Sequence, residues 1–161
     1  MAARDSELRN QLAGLLRGGN AHVDLAAAVR NLPAAHYGVK PQGSPHSAWE
    51  LVEHMRIALH DLLDFTTNPN YLEPSWPDDY WPPASAPASE AAWRASVRML
   101  KRDLKSFEAL VNDPKSNLYA EIPWAKNGQT LLREVLLAAD HTSYHIGELV
   151  LLRRIMGSWK G

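Results

Sequence analysis

Residues 130–156 read TLLREVLLAADHTSYHIGELVLLRRIM, and the fold and the chemistry of the chain both turn on this stretch. Apolar positions recur at the helical spacing, the helix is expected from about Thr130 to Met156, and Gly157 follows where a helix closes on a left-handed residue. At ~100° per residue, His141 and His145 project ~40° apart and one turn from each other, so both imidazoles can meet one metal ion. Leu131, Ala138, Leu149, Leu152 and Met156 lie within about 80° of His141, so the pair points into a core. Two imidazoles on an apolar stripe need polar partners or a metal, because an unsatisfied buried polar group costs several kcal/mol. The plainer reading of an isolated H-x-x-x-H is a pair of hydrogen-bonded core histidines; a third inward histidine shifts the balance towards a metal.

Three helical stretches precede this one. The first runs from about Asp5 to Leu32 and carries Leu8, Leu12, Leu15, Leu16, Val23, Leu25 and Ala27. Gly18-Gly19-Asn20 interrupts it, and because each glycine costs roughly 1 kcal/mol in a helix interior a break or kink is expected there. The second is announced by Pro45 and the capping box Ser47-Ala-Trp-Glu50 and runs to about Phe65, with Leu51, Met55, Ala58 and Leu62 as its apolar arc. His54 lies on the edge of that arc and is the third candidate ligand, whereas His60 projects roughly 240° round from it and should be exposed. The third opens at a cap on Ser89, repeats Trp93, Val97, Leu100, Leu104, Phe107 and Val111 on one stripe, and closes at Asn112-Asp113-Pro114.

No stretch alternates with a period of two. The expected architecture is therefore all-α: a four-helix bundle forming a single domain over residues 1–161, with a long Pro- and aromatic-rich crossover between the second and third helices. The crossover, residues 68–88, holds six of the eleven prolines together with Tyr71, Trp76, Tyr80 and Trp81, and no Lys or Arg occurs between Arg56 and Arg94. These aromatics either cover the mouth of a site or staple the crossover onto the helices, and stapling is the preferred reading. Trp124, in the segment before the Asn127-Gly128 turn signal, admits the same two readings.

Composition bounds the rest. With 161 residues, 45% hydrophobic and 22% charged, the chain has the make-up of one globular domain, which excludes wholesale disorder. A formal charge of −1 without single-sign blocks announces neither nucleic acid nor an anionic membrane. Arg94, Arg98, Lys101, Arg102 and Lys105 share one side of the third helix and could track phosphates, but the neutral balance and the interspersed Asp103 and Glu108 favour a solvated face. No apolar run approaches the ~20 residues that span a bilayer, and the polar opening Met1-Ala-Ala-Arg-Asp-Ser-Glu is not a signal segment, so a soluble, cytoplasmic protein is expected. Cysteine is absent, which removes disulfides, thiolate nucleophiles and Cys-ligated metals. Of the seven histidines, His36 and His46 fall in a Pro- and Gly-containing connection and are expected exposed. His22, just after the glycine break, could approach the site and support a ligand.

The inward His54 and the paired His141 and His145 resemble the pattern of the DinB-like (DinB/YfiT-type) superfamily of bacterial four-helix-bundle metalloproteins. The resemblance covers nearly the whole chain and is carried by Pro45-His46-Ser-Ala-Trp-Glu-Leu-Val-Glu-His54, Gly128-Gln-Thr-Leu-Leu-Arg-Glu134 and Asp140-His-Thr-Ser-Tyr-His-Ile-Gly-Glu148. It implies that His54, His141 and His145 form a facial triad on a divalent transition metal, nickel or zinc first, with iron or manganese as further candidates. Family members often carry Gln after the glycine where this chain has Glu148. Glu148 and Glu134 each read either as a group that braces a ligand or as a surface acid, the first being favoured for Glu148. The resemblance further implies a metal-dependent enzyme, a thiol-dependent transferase in some relatives, acting on an unknown small-molecule substrate, and a homodimer. A metal-dependent hydrolase and a non-catalytic binding or dimerisation module stay open beside it, with nucleic-acid binding last.

Overall fold

Gly18 and Gly19 both take positive φ, +68° and +83°, a region that side chains disfavour, so the first helical stretch breaks completely rather than bending. The computed structural model describes residues 2–160, with side chains from residue 5 onward. It is all-helical: α1 (Ala2–Arg17), the short α2 (Leu25–Val29), α3 (Ala48–Thr67), α4 (Glu90–Asn112) and α5 (Leu131–Ile155). Among the described residues the only strand-like pairing is an isolated bridge between Glu121 and Thr130, and no helix is long and apolar enough to cross a membrane.

Each boundary has a local cause. Asp24 caps α2 by accepting from the Ala27 amide at 2.6 Å. Ser47 and Glu50 close the capping box of α3 in both directions, at 3.2 and 2.8 Å. Ser89 and Thr130 cap α4 and α5 through the third amide of each helix, and Gly157, at φ +66°, ends α5. Arg9 reaches from α1 to donate to the carbonyl of Val111 in the last turn of α4 and to those of Asp113 and Ser116 just beyond it. The buried guanidinium of Arg153 does the same for the last turn of α2, through Ala28, and ties the C-terminal tail through Ser158.

α3 packs against α4 and α5, α1 packs against the same two helices, and α2 lies on α5. Their apolar arcs meet in one cluster that includes Leu12, Leu16, Met55, Leu100, Phe107 and Leu149. The stripe of α4 is rotated slightly from the expected one. Leu104 is only partly buried, and Asp103, expected on the solvated face, is buried instead. It accepts from Arg102 Nε at 2.9 Å and lies 3.1 Å from His60 Nδ1. Two turns before His60 on α3, Glu53 accepts from Nε and Nη2 of Arg56 and from the hydroxyl of Ser96 on α4. The α3–α4 contact therefore carries paired charges inside an apolar frame, and the basic side of α4 is solvated, with Arg94 and Arg102 paired to Glu90 and Asp103.

The connection between α3 and α4 lies along α3 and is fastened at both ends. Tyr71 and Tyr80 donate their hydroxyls to the two oxygens of Asp61, at 2.8 and 2.7 Å. At the other end the Ser47 hydroxyl donates to the Ser85 carbonyl at 2.6 Å, and Gly38 lets the chain at Ala86 come down, since a Cβ there would fall on Ala86. Trp124 donates its indole N–H to the Phe65 carbonyl at 2.6 Å, so it staples the second irregular segment to the end of α3.

Ser47→Ala removes a helix cap and orphans the Ser85 carbonyl together. A loss of about 1–3 kcal/mol is expected, measurable as a lower denaturant midpoint with an unchanged m-value.

Candidate metal centre

Positions 54 on α3 and 141 and 145 on α5 face one another across the groove between those helices. His54 and His145 are 2% and 7% exposed, and His141 is half-buried at the groove's open side. The Nε2 atom of His141 lies 3.0 Å from that of His54 and 3.1 Å from that of His145, and one ligand atom from each ring lies within 4.8 Å of the other two.

The far sides of two rings are anchored. His54 Nδ1 donates to the Tyr80 carbonyl at 2.8 Å, and His145 Nδ1 lies 2.6 Å from a carboxylate oxygen of Glu148. A carbonyl and a carboxylate only accept, so the proton of each neutral ring sits on Nδ1 and the Nε2 lone pair faces the cluster. Burial is the main cause that pushes both His141 and His145 down to about 4, with the neighbouring imidazoles adding to it. Burial also lowers His54, opposed by the Tyr80 carbonyl. Neutral rings are the ligating form.

A wall of stacked rings closes one side. The Trp81 indole lies on His54 with centroids 3.9 Å apart and planes within 2°, and His46 stacks on the same indole at 4.0 Å. The connection between α3 and α4 thus does both things the sequence left open. Tyr71 and Tyr80 staple it, and Trp81 covers a histidine, while Trp76 stays largely exposed against Tyr80.

Other expectations need correction. His46 is half-buried beside the site, not exposed; its position in a Pro- and Gly-containing segment carries no periodicity that could have shown this. His36 is also half-buried, with a buried Nδ1 that has no partner. His22 does not approach the three histidines: it is exposed, and its Nδ1 lies against the carbonyl of its own neighbour Val23, because the glycine turn carries it outward. Glu134 is fully buried, but its carboxylate meets Arg133 at 2.6 Å and no histidine; two helical turns separate it from His141. Glu148 reaches His145, and His60 is exposed as its helical angle requires.

Bonds of ~2.0–2.1 Å from nitrogen to a divalent ion place neighbouring ligands about 2.9 Å apart on an octahedron and about 3.4 Å apart on a tetrahedron. The observed 3.0 and 3.1 Å, with neutral imidazole donors, are compatible with such an ion.

A sequence model of the DinB superfamily matches residues 20–149, and the chain belongs to that superfamily. Comparisons with curated proteins and with solved structures give no match.

In the metal-free protein the unfolded chain takes up protons on these rings near pH 6.5, whereas folded His141 and His145 resist to about 4. Their contribution to stability is present above pH 6.5 and is lost as the pH falls towards 4. Melting scans in chelator are expected to show wild-type Tm falling through this window by several degrees more than that of the His141→Gln/His145→Gln variant. Parallel curves would show that the rings titrate normally in the fold.

Proposed function

We propose that this member of the DinB superfamily is a metal-dependent enzyme built as a single four-helix bundle, with the connection between α3 and α4 as its crossover. In this reading His54, His141 and His145 hold one divalent transition metal, nickel or zinc before iron or manganese. The observation that carries it is the convergence of three imidazoles, two of them turned by Tyr80 and Glu148 so that Nε2 is free. A divalent ion bound there supplies Lewis acidity, lowering the pKa of a coordinated water or thiol or polarising a carbonyl.

The chain's own residues do the rest. Glu148 and the Tyr80 carbonyl hold the Nδ1 protons of His145 and His54, so neither ring can turn its lone pair away. Trp81, on which His46 also stacks, keeps water off one face of His54, and the half-buried His141 leaves the approach. A cavity of about 280 Å³ lined by Pro45, His46, Leu51, Glu148 and Leu152 adjoins this end of the groove and is large enough for part of a small-molecule substrate. The reaction class we favour is thiol-dependent group transfer, supported by the superfamily resemblance; with no cysteine in the chain, the thiol comes with a cosubstrate. Hydrolysis is the second reading, favoured by Glu148, a partly exposed carboxylate beside the site that can hold a proton from water.

A cytoplasmic homodimer completes the proposal. Leu137, Tyr144, Leu151 and Ile155 form an exposed apolar line on α5, and Gly147 among them has open space over its Cα.

Elemental analysis is expected to find about one transition-metal ion per chain, lost in the His141→Ala/His145→Ala variant. A clean sample without metal, and without affinity for added Zn²⁺ or Ni²⁺, would refute the site. Light scattering after size exclusion is expected to give twice the chain mass, and Tyr144→Lys/Leu151→Lys is expected to reduce it to one.

A further inference from the structure

A second cavity, of about 420 Å³, opens between the C-terminal half of α3, the first turns of α5 and the two irregular segments. We propose that it binds an organic ammonium ion, held by Glu134 and Asp61 between aromatic walls. The side chain of Glu134 is buried on its wall; one oxygen accepts from Arg133 at 2.6 Å, and the other, Oε2, is buried with no partner at all. A carboxylate oxygen in that position lacks a donor, and leaving it so is costly. Of the two cations on this wall, Arg133 is committed to the first oxygen of Glu134, and Lys126 is exposed, 3.8 Å from Glu73.

Asp61, on the same wall, is locked by the hydroxyls of Tyr71 and Tyr80. It is a fixed acceptor with lone pairs to spare, and it cannot swing away. Burial first, and then Asp61, raise both phenols, so they stay neutral and present ring faces. Phe65 and Trp124 complete the aromatic lining, and the Trp124 indole N–H is spent on the Phe65 carbonyl. Carboxylates set among aromatic faces are the surroundings that ammonium groups prefer. The cavity is large enough for a small molecule, and the inference does not depend on metal at the histidines. Their link to it is Tyr80, whose carbonyl meets His54 and whose hydroxyl meets Asp61.

The test is calorimetric titration of the metal-stripped full chain with 2-phenylethylammonium and, in parallel, with uncharged 2-phenylethanol. The ammonium is expected to bind at least tenfold more tightly than the alcohol. Glu134→Gln and Asp61→Asn should each weaken it at least tenfold, with Glu134→Gln still taking up zinc at the wild-type stoichiometry. Equal binding of the two probes, no binding of either, or ammonium binding unchanged in both variants would overturn the proposal. The comparison of probes on the wild-type chain decides it even if a variant fails to fold, and a chain that binds the ammonium but no zinc would refute only the metal site.

Discussion

Three imidazole nitrogens gathered within 4.8 Å of one another, in a groove that lowers their affinity for protons, constrain everything around them. Lone pairs packed this closely repel unless something positive lies between them, so the rings must be held in place from behind. For His145 the holding group is on its own helix, at Glu148. For His54 it is a backbone carbonyl from a separate segment, and that one bond requires the connection between α3 and α4 to lie along α3. The clamp of two tyrosines on Asp61, the Ser47–Ser85 bond and the close approach at Gly38 all serve that placement.

α3 carries two polar faces that answer to different partners. His54 and Asp61 look to the connection, while Glu53 and His60 look to α4. A buried charge is stabilised only when its partners are in place, and Glu53 and Asp103 each have theirs. Such pairs add little net stability, but they penalise any slip of α3 along α4. A slip of one turn would carry His54 out of line with His141 and His145, so the ionic contacts far from the site keep its geometry in register.

The helices and the histidine cluster were readable because both rest on periodicity. Leu12, Leu51, Leu100 and Leu149 are buried where their spacing puts them, and two histidines four apart on an apolar stripe have one direction to face. Residues whose place depends on irregular chain were not readable in that way. His46 and Trp81 meet because two Pro-rich segments fold together, and His22 turns outward because Gly18 and Gly19 take positive φ. Asp103 was misplaced for another reason: its angle on α4 borders the buried stripe, and only the presence of Arg102 and His60 nearby makes burial tolerable. Glu134 shares the angle of His141, which left it open as a brace or a surface acid and gave no sign of a different cavity's wall.

His54 and His141, whose ring nitrogens lie 3.0 Å apart, are separated by 87 positions in the chain. Bringing the ends of so long a loop together costs on the order of 4 kcal/mol of chain entropy. The packing of α3 on α5 must meet that cost. An ion shared by the two rings would act as a reversible crosslink over that loop, so the availability of metal would set part of the stability of the folded chain.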